Sequence, residues 1–265
     1  MTKLLSSVLV SAALLLSACG QSSPEPKTDA NNAPEASTDG RVYRVAMNAA
    51  FAPFESVDSE GNIVGFDVDI VKAMAEAGNF KVTFVNTPWE GIFETLRRGD
   101  NDILAATVTI TDERKQIMDF SDPYFEINQV ILVPKGQDIK TPEDLKNLAK
   151  VAVTIGTSAD TVAQKILGAT SDKIARFESL PLVLKEVETG GAQAAISDNA
   201  VVENYVKNNG DKGFTIIETD LFEKEHYGMA VRKGDTETRD MLNAALKKIQ
   251  ENGEYDRVYN SYFAK

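Results

Sequence analysis

Three threonine hydroxyls and one guanidinium crowd a single stretch, Ala106-Thr-Val-Thr-Ile-Thr-Asp-Glu-Arg-Lys115, which runs on through Asp119-Phe-Ser-Asp-Pro-Tyr124. An arginine beside hydroxyl donors can hold a planar carboxylate through parallel hydrogen bonds. The stretch follows the apolar run Asp102-Ile-Leu-Ala-Ala106 and leads into a short helix. Thr111 suits the N-cap, because its oxygen can accept from an unpaired first-turn amide. Asp112 and Glu113 suit the positive end of the helix dipole, whereas Arg114 is disfavoured there by roughly a few tenths of a kcal/mol. Such a cation is either a surface partner of Asp112 or Asp119, or the seat of a ligand carboxylate. Local sequence leaves both open.

The elements that must position this stretch alternate between short β-rich runs and helical stripes. Residues 42–47 predict a buried strand. Residues 67–77, with Val68, Ile70, Val71, Met74 and Ala75 on one face and Gly78 behind them, predict a helix. Strands are expected over 81–85 and 102–106, around a helix over 90–98 closed by Gly99. After the strongly apolar run 129–134 the pattern restarts with a helix start at Thr141-Pro142. Strands over 151–155, 173–177 and 194–196 then alternate with helices over 161–167, 181–188 and 199–207. A last run over 227–231 leads into helices over 237–251 and 254–262. This βαβα rhythm predicts an α/β chain with parallel sheets covered on both faces, in two lobes each large enough for its own core. Ligands of such sheets bind beyond the carboxyl ends of the strands. Four such ends carry polar or aromatic residues: Asn48 to Phe54, Thr107 to Arg114, Thr154 to Ser158, and Ser197-Asp198.

The chain has 265 residues, 43% hydrophobic and 26% charged, as in a soluble globular protein. A formal net charge of -12 argues against nucleic acid as a partner. Residues 1–18 read as a targeting segment, with Lys3 ahead of an apolar core from Leu4 to Leu16 that is too short to span a membrane comfortably. The ending Leu16-Ser-Ala-Cys19 looks like a bacterial lipoprotein signal. Cys19, the one cysteine, would then carry acyl chains such as palmitate that hold the mature chain at a membrane. Residues 19–40 are rich in Pro, Ser, Thr, Asn and Ala, and predict a tether reaching on the order of 25 Å. The folded body starts near Arg41.

No phosphate loop and no dinucleotide fingerprint occurs, so no cofactor is expected. His226 is the one histidine, which leaves no support for a Ser-His or Cys-His nucleophile or a zinc site. Carboxylate pairs such as Asp119/Asp122 and Glu186/Glu188 are spaced as caps and solvated faces. A zwitterion, by contrast, finds its complement. Arg114 with Thr109 can take a carboxylate, and the Ile155-Gly-Thr-Ser158 turn into a helix can add backbone N–H groups. Asp198, at a strand end, can take an ammonium or can equally cap the helix behind it. Phe51 and Trp89 can sandwich apolar carbons or can belong to the core. Charge-assisted hydrogen bonds contribute about 1.5–3 kcal/mol each, and a handful reach micromolar binding at about -8 kcal/mol.

Ala49-Ala-Phe-Ala-Pro-Phe-Glu-Ser56, Gly65-Phe-Asp-Val-Asp69 and Thr109-Ile-Thr-Asp-Glu-Arg114 form one series, extended by Asp119-Phe-Ser-Asp-Pro-Tyr124, Tyr227-Gly-Met-Ala230 and Asn252-Gly-Glu-Tyr255. Together they resemble the polar amino-acid solute-binding proteins of bacterial ABC importers (family 3) in a lipoprotein form, over essentially all of residues 41–265. The resemblance implies a two-lobed periplasmic-binding-protein fold of type II, each lobe a central sheet flanked by helices, joined by two crossover strands. The crossings are expected near 132–135 and 225–228, with one lobe from 41–132 plus 228–265 and the other from 133–227.

Carried onto this chain, the resemblance implies that Arg114 and Thr109 bind the ligand carboxylate, that Asp198 binds the ammonium, and that Phe51 and Trp89 form walls. It places Thr107 at a lining position and Thr157 and Ser158 in the second-lobe turn. Asn48 stands where relatives taking basic or amide side chains often have aspartate. Thr154 and Ser197 stand where glutamine binders have lysine and histidine, and Glu90 beside Trp89 is a further acid near the side-chain end. The implied activity is capture of a polar or basic L-amino acid by a non-enzymatic monomer, by hinge closure, for a permease and ATPase complex. Its place is the cell envelope, facing the periplasm or at the cell surface. The alternatives are an enzyme like cyclohexadienyl dehydratase on the same fold, and an amino-acid-sensing surface lipoprotein.

Overall fold

A computed structural model describes residues 40–264. The targeting segment, Cys19 and nearly all of the tether lie outside the described residues. Within them the chain forms two central sheets and a small three-stranded excursion. Strand β1 (Val42–Met47) is followed by the short strands β2 (Ala50–Phe51), β3 (Glu55–Val57) and β4 (Ile63–Val64), then helix α1 (Phe66–Gly78), strand β5 (Lys81–Asn86), helix α2 (Ile92–Arg98) and strand β6 (Ile103–Leu104). Helix α3 (Asp112–Ile117) runs into strand β7 (Met118–Phe120), and the long strand β8 (Phe125–Val133) follows. A 3-10 turn over Pro142–Asn147 precedes β9 (Val151–Thr154), α4 (Ser158–Leu167), β10 (Ile174–Phe177), α5 (Leu180–Glu188), β11 (Ala194–Asp198) and α6 (Asn199–Asn208). The chain closes with β12 (Thr215–Ile217), β13 (Lys224–Tyr227), β14 (Ala230–Arg232), α7 (Thr236–Glu251) and α8 (Glu254–Phe263).

Both sheets are mixed rather than purely parallel. In the first, ordered β5-β1-β6-β14-β7, strands β5, β1 and β6 are parallel, but β14 inserts antiparallel to both β6 and β7. The run expected as one strand over 227–231 is thus two, β13 and β14, each serving a different sheet. In the second sheet, ordered β10-β9-β11-β8-β12, β8 runs antiparallel to its neighbours, and β13 pairs with its start.

The register relocates the first crossing. Leu132, expected at the crossing, pairs with Ala195 and Ile216 inside the second sheet. The segment that pairs with Lys224–Tyr227 is the earlier Phe125, Glu126, Ile127 and Asn128. Nor is the apolar interior divided between lobes. Phe125, Ile127 and Tyr227 on the two crossover strands are buried and join the core of the first sheet to Leu132, Ala152 and Ala195 of the second. A separate cluster, including Ile131, Val151, Val153 and Ile196, fills the other face of the second sheet under α4.

Phe54 is the pivot of this interior. It is fully buried and meets Phe66, Phe125 and Tyr227 edge-on, with centroids 5.8, 4.9 and 5.3 Å away. The residues of α8 close over the same cluster through Phe263 and through Tyr262, whose hydroxyl donates to Asp69 Oδ2 at 2.7 Å. Gly65 is required beside it: its φ is 138°, and a Cβ there would lie 2.2 Å from the Phe54 carbonyl oxygen. Edge-to-face rings add to simple burial, so Phe54→Ala is expected to cost about 3–5 kcal/mol, read as a lower urea midpoint at unchanged slope.

Candidate functional site

A cavity lies where the strand ends converge. Its wall contains Asn48 after β1, Phe51, Trp89, Thr107 and Thr109 after β6, and Arg114 from the first turn of α3. From the second sheet come Thr154, Thr157 and Ser158 between β9 and α4, and Asp198 at the end of β11. The residues expected from sequence therefore line one cavity. Ala106, Ala159, Leu180 and Ser197 complete the wall. Ser197 had been placed at a strand end without being chosen. Leu180 opens α5 just past β10, where the strand-end rule points, but a leucine carries no chemical signature. Glu90 is exposed and outside the wall.

Arg114 is not a surface ion-pair partner of the acids near it. Asp112 pairs with Lys115 and Asp119 with Lys233. The Arg114 guanidinium lies 5.5 Å from the Trp89 ring centroid and 5.2 Å from that of Phe93. It donates through Nη1 to the Thr109 carbonyl at 2.9 Å and through Nη2 to the Gly156 carbonyl at 3.2 Å. Burial makes its charge costlier and lowers its pKa, with Glu225 and Asp198 partly offsetting this. The group stays cationic regardless. Thr111 caps α3 as expected, its hydroxyl accepting from Arg114 N at 3.2 Å.

The turn opposite is staked in place. Thr157 caps α4 by accepting from Asp160 N, and donates to the Thr154 carbonyl at 2.7 Å. Asp160, paired with Arg176 at 2.9 Å, accepts from Gly156 N at 3.2 Å. Gly156 adopts φ 70°, the left-handed turn that lets its N–H and carbonyl face these partners. Trp89 Nε1 donates to the Ile155 carbonyl at 3.1 Å, so Trp89 and Arg114 both reach from the first sheet to this turn. Ser158 Oγ is buried and unpartnered within the protein, at the first turn of a helix whose N–H groups favour anions.

Asp198 occupies the N-cap position of α6 but does not cap it. Its carboxylate instead accepts from the Tyr227 hydroxyl and from Gln129 Nε2, the latter at 2.5 Å. Burial pushes its pKa up to about 6, against the pull of these two hydrogen bonds and of Arg114, while Glu225 pushes it further up. It remains ionised at neutral pH. Thr107 is the strained member of the wall, with φ 49° on a β-branched side chain. Such a conformation costs about 1–3 kcal/mol and persists only where surroundings over-determine it. Asn48 donates to the Thr87 carbonyl at 3.2 Å.

Residues 43–265 match the family described as bacterial extracellular solute-binding proteins, family 3. The chain belongs to that family. It is 53% identical over 265 residues to a probable histidine-binding protein of Neisseria gonorrhoeae, covering 100% of this chain and 97% of the relative. Among solved structures, the arginine-, lysine-, histidine-binding protein ArtJ of Geobacillus stearothermophilus superposes with a TM-score of 0.82 at 39% identity, covering 85% of this chain and 96% of that one. The ancestral amino-acid-binding protein AncCDT-1, a precursor of cyclohexadienyl dehydratase, gives 0.76 at 38% identity, covering 84% and 95%. The fold is accordingly the two-lobed α/β fold of periplasmic binding proteins. Among the described residues no helix is long and apolar enough to cross a membrane.

The Asp198 shift has a thermodynamic sign. Its folded pKa, about 6, lies above its ordinary 3.8, so the folded state holds the proton more tightly and this group's stability contribution falls as pH rises from about 4 to about 6. Asp198→Asn, which cannot ionise, is expected to melt above the parent at pH 7.5 without ligand. The gap should close towards pH 4, as a melting series in matched ionic strength would show.

Proposed function

We propose that this protein captures a polar or basic L-amino acid between its lobes, without chemical turnover, and presents it to an ABC importer. One observation carries the reading. Arg114 and Asp198 are the two charged residues of the cavity wall, they have opposite sign, and they come from different halves of the fold, Arg114 from α3 behind the first sheet and Asp198 from the end of β11 in the second. That is the charge pattern of a zwitterion laid across the cleft. The ligand carboxylate takes Arg114, Thr109, Ser158 Oγ and the first amides of α4. The ammonium takes Asp198. Phe51 and Trp89 flank the carbons, while Asn48, Thr154 and Thr107 meet the side chain or its near end. The similarity to amino-acid-binding relatives supports the same class of ligand.

The two halves of the site lie on opposite lobes, one built from residues 41–124 plus 228–265 and the other from 129–223, with 125–128 and 224–227 as the crossing pair. A ligand that bonds both lobes stabilises the closed arrangement by the difference between its contacts in the two states. In the same reading Cys19 carries the lipid anchor, the chain acts as a monomer at the cell envelope, and the permease and ATPase supply the energy of transport.

A thermal-shift panel over the amino acids tests the class of ligand. A ligand at about 100 times its Kd adds about 2.7 kcal/mol to stability, so binders should stand out by several degrees. Arg114→Ala and Asp198→Ala should each weaken calorimetric binding on the order of 100-fold or more, since stranding one charge of a buried pair costs about 3–5 kcal/mol. Undiminished binding in both variants would refute the site. Turnover of prephenate or arogenate by the purified protein would replace capture with an enzymatic reading.

The Asp198 shift also sets a pH dependence. An ammonium favours the ionised carboxylate, so affinity should rise as pH increases through about 6 and level off above it. Titrations from pH 4.5 to 8 would expose a flat or inverted profile.

A further inference from the structure

Behind the cavity wall lies a pair of acids that ligand capture, as described, does not use. Glu55 on β3 and Asp67 in the first turn of α1 are both fully buried. Asp67 Oδ2 accepts from Thr107 N at 3.3 Å and from the Tyr124 hydroxyl at 2.6 Å. Glu55 Oε1 accepts from Thr107 Oγ1 at 3.5 Å. The remaining oxygens, Glu55 Oε2 and Asp67 Oδ1, have no other donor within the protein. Two buried carboxyl groups that hold the same threonine, each with one oxygen unpartnered, can be reconciled with burial by one proton shared between them. The titratable groups acting on them are Asp198 on Glu55 and Tyr124 on Asp67, with Tyr227 and Tyr255 behind these. All are acids, so no neighbouring cation takes the place of the proton. The residue that both acids hold is Thr107, the left-handed threonine of the cavity wall.

We infer that Glu55 and Asp67 form a proton-sharing pair that positions Thr107 at the ligand cavity and releases part of its proton when an amino-acid ammonium enters. The inference rests on the reading of the cavity as an amino-acid site. An ammonium brings positive charge into a buried region whose charged groups are otherwise mainly carboxyls, and a nearby cation favours the ionised form of each. Burial pushes both carboxyls up, Glu55 well up and Asp67 to about 7, so Glu55 keeps its proton at neutrality and Asp67 is the member of the pair that ionises there. Asp198 responds about one unit lower. Binding near pH 7 therefore reports chiefly on the pair, and binding near pH 6 on Asp198 as well. Proton release and tightening with pH are two views of one linkage: a ligand that lowers a pKa binds more strongly as pH rises through it.

The test is calorimetry of the full folded chain with each of the twenty protein L-amino acids, at pH 7.2, in two buffers of different ionisation enthalpy. The parent is compared with Asp67→Asn and Glu55→Gln. Either amide can bridge to the remaining acid, so Thr107 keeps its partners while the shared proton is lost. Any proton carried by the amino acid itself cancels in the difference. The parent should release on the order of 0.3 proton per ligand more than either variant, with a pH profile about 2-fold steeper between pH 6 and 7.5. Equal proton release in parent and variants, with binding intact, overturns the inference while leaving the amino-acid site standing. If neither variant folds, the parent alone decides with an amino acid that has no group titrating near neutrality, because its binding with no net proton release at pH 7.2 overturns the inference equally. Failure of every amino acid to bind refutes the site itself, and the pair's role with it.

Discussion

A carboxylate taken out of water needs a cation or several hydrogen bonds, and Asp198 has only the second. Tyr227 and Gln129 bond it, Arg114 acts on it from a distance, and Glu225 opposes it. Gln129 is turned so that Nε2 serves both Asp198 and Glu225, the latter at 3.0 Å, which leaves its own Oε1 without a partner in the protein. The protein thus accepts an unsatisfied amide oxygen in order to aim an N–H at two acids. Such a site is incomplete in charge though not in hydrogen bonds. A cationic group that reaches it would relieve the imbalance, as the ammonium of the proposed ligand would.

The residues that hold Asp198 are not remote parts of its lobe but members of the crossover. Gln129 sits in β8 just past the segment paired with β13, and Tyr227 ends β13. Tyr227 also bridges to Thr109, whose carbonyl receives the Arg114 guanidinium. Arg114, the crossover and Asp198 are therefore joined by a short chain of hydrogen bonds. A rotation about the crossover that changes Tyr227 must act on both ends of the site together. This gives hinge closure a physical carrier: contacts that differ between two arrangements of one packed interior, not a message passed along the backbone.

Much of this was legible in the sequence, for two reasons of different weight. Strand ends in α/β sheets collect ligand residues whatever the family, which singled out Thr107 to Arg114, Thr154 to Ser158 and Asp198. The motif series then distinguished roles that local sequence left open, such as capping against ligand binding at Asp198. The misses share a cause. The crossing near 132–135 came with the resemblance, whereas the segment paired with β13 is Phe-Glu-Ile-Asn, residues 125–128, whose alternation leaves one face to solvent and carries no strong apolar signal. Antiparallel β14 was fused with β13 because the break between them is only Gly228-Met229. The Glu55–Asp67 pair was unreadable because it depends on the small excursion β2–β4 folding back until Gly65 touches Phe54. No periodicity encodes that close approach.

Arg114, Asp198 and Thr107 show why these positions look wrong by local rules. A guanidinium at the positive end of a helix, a carboxylate without a bonded cation and a threonine at φ 49° each work against stability in the free protein. Each is held by its neighbours: Trp89 and Phe93 around Arg114, Tyr227 and Gln129 on Asp198, Glu55 and Asp67 under Thr107. In a sequence otherwise consistent with its fold, such concentrated conflict marks a site where something outside the chain completes the interaction. The three conflicts converge on one cavity, and two of them are opposite charges, one carried by α3 behind the first sheet and one by β11 of the second. The proposed zwitterion would resolve both charges at once, and would do so only with the two halves brought together around it.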